Sequence, residues 1–223
     1  MVGVSASARW SLAALVVVVA LVVAIWPRGG DAEVATYDGR FGSGRITSNS
    51  EGTDPDALAA LRSQASLAPC PAPTGAPDPS SDSPLSGITL DCMGDGSQVD
   101  LAAALAGKPA LLNLWAYWCG PCAEELPYLQ RYSERAGDAI TVLTVHSDPN
   151  ESSALSRLTD YAVTLPGVQD GDGRVRAAVG APAVLPVSVL IRSDGTVAKI
   201  LPQPFDSVDD IAAAVEQSLG VAA

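Results

Sequence analysis

The sequence is poor in basic side chains and in histidine. It has 13 Lys and Arg against 25 Asp and Glu, a formal net charge of −12, which argues against a nucleic-acid partner because phosphates need a basic surface. His146 is the only histidine. A four-ligand zinc site built on Cys119 and Cys122 would therefore need Cys70 and Cys92 as its other ligands, an unusual spacing. We expect no nucleic-acid partner and no metal ligand.

One long apolar run is present near the N-terminus. The 17 residues from Trp10 to Trp26 contain only Ser11 as a polar side chain, and a membrane-spanning helix needs about 17 to 25 residues. The run exceeds the usual apolar core of a signal peptide, and no small-x-small cleavage site follows it. We predict an uncleaved single-pass anchor in the cell membrane, with a cleaved signal peptide as the alternative. The acid-rich remainder lacks the positive cluster of a cytoplasmic flank, so we place it on the extracytoplasmic side.

Composition divides the chain into three predicted parts. Residues 1–30 form the membrane anchor or uncleaved signal. Residues 31–84 read as a flexible, partly ordered tether that contains a proline-rich loop and one short helix, which starts at Pro55 and ends near Leu67. Residues 85–223 form the folded domain.

The folded part alternates strand and helix patterns. Strands are predicted at 88–92, 109–118 and 139–147 and in a hairpin over 186–200, and helices at 99–107, 120–135, 152–161 and 208–219. This order predicts one α/β domain. His146 ends a predicted strand beside Ser147 and Asp148, and we expect it to lie at the surface or in a loop.

A Cys-Gly-Pro-Cys motif, Cys119 to Cys122, lies where a buried strand leads into a helix. The unpaired N–H groups and the dipole of the first helical turn favour the thiolate of Cys119, and Pro121 fits this turn because its missing N–H would have no partner there. Cys122 lies one turn further on and can close a disulfide onto Cys119. The context predicts a redox pair in which Cys119 attacks and Cys122 resolves. A thiolate metal carrier is a weaker alternative.

The motif and its surroundings resemble a known family. Trp118–Cys122 resembles the thioredoxin active site, and the stretches Leu111–Leu129 and Val163–Ile200 are similar to the membrane-anchored TlpA/ResA-like thiol-disulfide oxidoreductases. The resemblance runs from Ile88 to about Leu219. It implies a thioredoxin-like fold with a central mixed sheet flanked by helices, and no cofactor besides the redox-active disulfide.

The resemblance also implies where a substrate binds. Pro186 aligns with the cis-proline whose loop faces the disulfide, so Leu185 and Pro186 are expected to receive the substrate backbone. The family commonly has Thr at the next position, where this chain has Val187. Further substrate contacts are expected from Trp118, Gly120 and Pro121.

Two polar positions distinguish branches of the family. Asn113 stands where cytosolic thioredoxins have a buried Asp. Glu125 aligns with an acidic residue of ResA-like proteins and is expected to take the proton of Cys122 as a mixed disulfide resolves. The alternative for Glu125 is a solvated acid that stabilises the first helical turn. We expect Trp115 and Trp118 to pack around the disulfide.

Cys70 and Cys92 complete an even count of four cysteines. In an extracytoplasmic domain this suggests a structural disulfide, worth about 3 kcal/mol in the chain-entropy model. The alternative is a second redox pair that relays electrons to Cys119 and Cys122.

These features together predict a membrane-tethered thiol-disulfide oxidoreductase that acts on the thiols or disulfides of exported proteins. By family analogy it reduces disulfides in clients such as apocytochrome c and receives electrons from a membrane donor of the CcdA or DsbD type. The alternative is an oxidase that donates its disulfide, because fold and motif serve both directions.

Overall fold

The computed structural model of the protein describes residues 54–73 and 83–222. The predicted anchor, residues 31–53 of the tether and the middle of the proline-rich loop lie outside this part of the chain. Among the described residues, no helix combines the length and the apolar character needed to cross a membrane.

The described residues form a mixed sheet flanked by helices. Its strands are β1 Thr89–Cys92, β2 Gln98–Asp100, β3 Ala110–Trp115, β4 Thr141–His146, β5 Gly167–Gln169, β6 Val187–Ile191 and β7 Val197–Leu201. They lie in the order β2-β1-β5-β4-β3-β6-β7. The β3–β4 and β4–β5 pairs are parallel, and the other four pairs are antiparallel. The sheet therefore has the mixed thioredoxin-like topology that was expected.

Helices cover both faces of the sheet. They are α1 Pro55–Ala65, α2 Leu101–Ala104, α3 Gly120–Ala136, α4 Glu151–Asp160, α5 Arg174–Val179 and α6 Val208–Leu219. Leu111 of β3 packs in one core cluster with α3, α4 and α6, whereas Leu112 and Leu114 pack in a second cluster with α2 and α5. Successive strand residues point to opposite faces, so the apolar β3 serves both clusters. Every residue of β3 is buried.

Helix α1 confirms the short helix predicted before the domain. Asp54 caps it by accepting a hydrogen bond from the Asp56 backbone N–H, and Pro55 follows in the first turn. Arg62 reaches Glu151 at the start of α4, with a closest N–O distance of 3.0 Å. Ala65 is buried in the core cluster on this face. The helix is therefore packed against the sheet domain.

Most predicted elements are confirmed within a few residues, and α6 matches the predicted range 208–219. The sequence patterns missed β2, β5 and α5. Two of these, β2 and β5, have three residues each, too few for a hydrophobic period to be read. The division at residues 30 and 84 stays a prediction.

Candidate active site

The Cys119–Cys122 pair forms a disulfide at the N-terminus of α3. Cys119 is the N-cap, and the backbone N–H of Cys122 donates to Cys119 Sγ at 3.3 Å. Cys119 is 7% exposed, while Cys122 is fully buried. Once the pair is reduced, the same N–H and the positive end of the helix favour a thiolate at Cys119. Cys119 is therefore the sulfur that a partner can reach.

The turn before α3 fixes the position of this disulfide. The strand β3 ends at Trp115, whose carbonyl accepts from the Ser147 N–H at 2.8 Å. The Cys119 N–H donates to the Ala116 carbonyl at 3.0 Å, which closes a turn directly before the helix. Pro121 occupies the first turn of α3. The disulfide is thus carried on a rigid strand–turn–helix unit.

The peptide bond between Leu185 and Pro186 is cis, as expected. It directly precedes β6, where Val187 is paired with Leu114 of β3. This register brings the cis-proline beside the end of β3, from which the turn to Cys119 begins. Val187, at the position where the family commonly has Thr, is fully buried in the core.

Glu125 is fully buried and held by two donors. Asn113 Nδ2 donates to its Oε2 at 2.9 Å, and the Phe205 backbone N–H donates to its Oε1 at 3.1 Å. Burial raises the pKa of Glu125 to about 7, against the lowering effect of both hydrogen bonds. Glu125 is therefore not a solvated first-turn acid, and near neutral pH its carboxyl can both give and accept a proton.

The surroundings of Glu125 include groups that sequence reasoning missed. Asn113 Nδ2 also lies 3.2 Å from Ser188 Oγ on β6. A polar Ser188 inside an apolar strand pattern was a readable signal. The contribution of the Phe205 N–H could not be predicted from the sequence, because every residue except proline has a backbone N–H.

Trp118 and Val184 are the large apolar side chains that stand out as exposed among the described residues, at 61% and 49%. Trp118 directly precedes Cys119, and Val184 lies two residues before Pro186. The expectation that Trp118 packs around the disulfide is wrong in part, since most of its surface faces solvent. Its indole Nε1 donates to Asp148 Oδ2 at 2.9 Å. Trp115, in contrast, is buried in the same core cluster as both cysteines.

The expectation of a surface histidine is wrong. His146 is the last residue of β4 and is fully buried. Its ring centroid lies 5.0 Å from that of Trp115 and 6.2 Å from that of Tyr117. Burial lowers its pKa, opposed by the hydrogen bond with Gln169 and by the charge of Asp148. The polar Ser147 and Asp148 beside His146 in the sequence suggested exposure, but the burial of the imidazole depends on the strands on either side of β4.

Cys70 and Cys92 form the second predicted disulfide. Cys92 ends β1 and is buried, and the bond ties the segment after α1 to β1, which lies between β2 and β5 in the sheet. Cys70 Sγ lies 3.2 Å from the Gly167 carbonyl oxygen, which is a contact because a disulfide sulfur has no proton to donate. The Ala68 N–H donates to the Thr164 carbonyl at 2.7 Å beside it. The Cys70–Cys92 disulfide thus joins two backbone segments that already pack against each other.

A thioredoxin-like sheet, an N-capping Cys119 bonded to a buried Cys122, and a cis-proline beside them define the class of thioredoxin-fold dithiol proteins. The sequence profile of the redoxin family matches residues 71–215. The chain therefore belongs to the redoxin family.

Individual relatives agree with this assignment. The thiol-disulfide oxidoreductase ResA of Bacillus subtilis is 30% identical over 108 residues, which cover 48% of this chain and 59% of ResA. A secreted Mycobacterium tuberculosis disulfide oxidoreductase, described as homologous to E. coli DsbE, has 28% identity and a TM-score of 0.50, covering 59% of this chain and 98% of its own. A secreted thiol-disulfide isomerase of Corynebacterium glutamicum has 25% identity and a TM-score of 0.52, covering 60% and 82%. The match thus spans about three fifths of the curated relative's length.

Proposed function

We propose that the protein is an extracytoplasmic thiol-disulfide oxidoreductase that reduces disulfides in exported proteins. The observation that carries the proposal is the reachable Cys119 at a helix N-terminus, bonded to a buried Cys122. An accessible nucleophile with a shielded partner suits an enzyme that attacks a client and then releases it.

The reaction starts with the reduced pair. The Cys119 thiolate attacks one sulfur of the client disulfide, a mixed disulfide forms, and the other client sulfur leaves as a thiolate. Cys122 then loses its proton and attacks Cys119 Sγ, which releases the second client thiolate and leaves the Cys119–Cys122 disulfide. The client gains two electrons, and the thiolate–thiol pair of the enzyme loses two electrons and the one proton of Cys122.

Glu125 is the proposed acceptor for the proton of Cys122. It lies three residues further along α3, about one helical turn away. With a pKa of about 7, a large fraction of its carboxyl is free to take a proton at neutral pH. Two hydrogen bonds hold the carboxylate in place without neutralising it.

The exposed side chains beside the disulfide supply the client surface. Trp118 and Val184 offer apolar contacts on the motif side and on the cis-proline side. A peptide that crosses Cys119 between them would meet Leu185, Pro186 and the turn residues Gly120 and Pro121.

The apolar run Trp10–Trp26 and the secreted nature of the Mycobacterium and Corynebacterium relatives support a membrane-tethered enzyme outside the cytoplasm. A membrane electron donor of the CcdA or DsbD type would then restore the dithiol. Apocytochrome c is the proposed client by family analogy with the ResA relatives.

The reduction potential of Cys119–Cys122 tests the proposal. The full-length chain is equilibrated in glutathione or dithiothreitol buffers, alkylated and digested, so that the two cysteine pairs are read on separate peptides by mass. A potential well below the glutathione couple is expected of a reductant. A strongly oxidising potential would reverse the direction to disulfide donation, and the absence of a reversible two-electron couple would overturn the oxidoreductase function.

A further inference from the structure

Trp118 is connected to the core by a chain of hydrogen bonds. Its indole Nε1 donates to Asp148 Oδ2 at 2.9 Å. Gln169 Nε2 donates to the Asp148 carbonyl oxygen at 2.6 Å, and Gln169 Oε1 lies 2.9 Å from His146 Nδ1. The chain therefore runs from the exposed indole of Trp118 through Asp148, in the loop after β4, and Gln169 of β5 to the fully buried imidazole of His146 on β4.

The direction of each hydrogen bond is fixed. Because the amide nitrogen of Gln169 faces a carbonyl, its oxygen must face His146 and can only accept. His146 Nδ1 therefore carries a proton in either charge state. Its Nε2 has no hydrogen-bond partner among the described residues, and the buried ring is held by Trp115 and Tyr117.

These contacts hold the turn before the disulfide, residues 115–118, at both of its ends. His146 packs on Trp115 and Tyr117, and the chain from His146 returns through Gln169 and Asp148 to the neighbouring indole. Asp148 is further fixed by its Oδ1, which accepts from the Asn150 N–H at 2.8 Å. Both ends of the segment 115–118 are thus attached to the same polar chain.

Trp118 needs such support because packing alone does not hold it. The side chain is 61% exposed, so its free rotamers must be restricted by the bond to Asp148. That carboxylate can aim at the indole only while the Asp148 backbone stays in place, and Gln169 ties this backbone to β5.

We propose that Gln169, with His146 behind it, is a positioning residue that holds Trp118 in the orientation that receives client polypeptide beside Cys119. The inference rests on the proposed thiol-disulfide exchange function. It adds two residues, on β4 and β5, that do not touch the client or the disulfide.

The chain offers a matched control in Gln130 of α3. Its Oε1 accepts from the Thr164 N–H at 2.9 Å, and its Nε2 donates to Glu134 at 2.8 Å. Gln130 and Gln169 are both half-buried amides that bridge a backbone group and a side chain. Only Gln169 is connected to Trp118 by hydrogen bonds. Replacing Gln130 therefore measures the effect of losing amide hydrogen bonds in general, and replacing Gln169 measures the additional effect on the position of Trp118.

The test compares Gln169→Met, Gln169→Glu and Gln130→Met in the full-length chain. Turnover is measured with a fluorogenic disulfide peptide and excess dithiothreitol. Both Gln169 variants are expected to raise KM about fivefold, the factor of one lost hydrogen bond, with kcat unchanged. Gln169→Glu keeps the size and the acceptor for His146 but loses the donor to Asp148, so it decides the matter if Gln169→Met does not fold.

A spectroscopic arm reads the indole directly. In protein labelled with 5-fluorotryptophan, the Trp118 ¹⁹F signal is assigned by Trp118→Phe. It is expected to narrow and move towards free fluorotryptophan in the Gln169 variants and to stay in place in Gln130→Met. An unchanged signal with unchanged KM in the Gln169 variants, or the same change in Gln130→Met, would overturn the inference. If the unmodified chain shows no turnover, the proposed function fails, while the ¹⁹F comparison still decides the positioning role.

Discussion

The protein contains two disulfides in different settings. Cys119–Cys122 joins cysteines three positions apart at the start of one helix, where Cys119 is 7% exposed, Cys122 is fully buried and a buried Glu125 follows one turn further on. Cys70–Cys92 spans 22 positions and joins a docked segment to the end of β1. One disulfide, Cys119–Cys122, lies beside groups that stabilise a thiolate, whereas the other, Cys70–Cys92, lies between two backbone segments. Local surroundings, rather than the bond, indicate which pair exchanges electrons.

The sheet also separates the two pairs. Cys92 is paired with Val168, Val168 with Val145, and Val145 with Leu114. Cys92 and Leu114 are therefore three strand spacings apart, about 14 Å. Direct attack of one pair on the other would need sulfurs in contact. Cys92 packs in the core cluster of Leu112 and Leu114, whereas Cys119 and Cys122 pack in the other cluster, which favours the structural interpretation of Cys70–Cys92 over an internal relay.

The largest expected difference between the pairs is in turnover. Cys119→Ser removes the attacking sulfur and should reduce disulfide-peptide reduction to the uncatalysed background. Cys122→Ser should leave Cys119 joined to client as a stable mixed disulfide, visible by mass on non-reducing digests. The matched double variant Cys70→Ala/Cys92→Ala should keep turnover. Loss of turnover in that double variant, with the fold intact by circular dichroism, would contradict the assignment of roles.

The next effect concerns Glu125, which distinguishes the surroundings of the two pairs. Glu125→Gln keeps the shape but cannot accept the proton of Cys122, so resolution of the mixed disulfide should slow about 100-fold. Glu124→Gln is the control, because Glu124 is the adjacent residue on α3 and is exposed. Stopped-flow release of the second client thiol measures the step. Equal rates in both variants would remove Glu125 from the chemistry.

Glu125 also makes a stability prediction with a definite sign. Its pKa rises from 4.5 to about 7 on folding, so between these values the folded state binds more protons than the unfolded state. The free energy of unfolding should therefore decrease as pH rises from about 4.5 to 7, by at most about 3 kcal/mol. Glu125→Gln should lose this decrease, whereas contributions from His146 are common to both proteins and cancel. Urea unfolding of the oxidised proteins at pH 5 and pH 8 gives the comparison, and identical pH slopes would contradict it.

The sequence was sufficient for much of this site because its signals are local. The apolar run of β3, the spacing of Cys119 and Cys122 and the helix that follows are neighbours along the chain. The family resemblance supplied Pro186, and its cis bond is confirmed. The pairing of Cys70 with Cys92 followed from their even count and is also confirmed.

The remainder depends on contacts between distant segments. The Phe205 N–H reaches Glu125 across 80 positions, and Gln169 meets His146 only because β5 lies beside β4. Short strands such as β5 carry no readable period, so this neighbour of His146 could not be placed and the imidazole was assigned to the surface. Long, apolar elements are predictable from sequence, whereas polar contacts between the ends of strands are not.

A further prediction isolates Cys70–Cys92, and its effect is on stability and not on turnover. Cys70→Ala/Cys92→Ala should lower the free energy of unfolding by about 3 kcal/mol, because the open loop gives the unfolded chain more conformations. Both cysteines are replaced together, since a single replacement would leave a free thiol that can form disulfides between molecules. Urea unfolding of the oxidised full-length chain measures the loss.

The same double variant tests whether the two pairs are independent. A disulfide that acts through the unfolded chain leaves the folded surroundings of Cys119 unchanged, so the Cys119–Cys122 potential should stay at its original value. Alkylation mass in the same redox buffers measures it, and Glu125→Gln serves as a positive control that alters those surroundings. An unchanged stability together with a shifted Cys119–Cys122 potential would mean that Cys70–Cys92 acts on the redox site and not on the chain. The expected result, a lower free energy of unfolding at a constant Cys119–Cys122 potential, would assign a structural role to Cys70–Cys92 and the redox chemistry to Cys119–Cys122 alone.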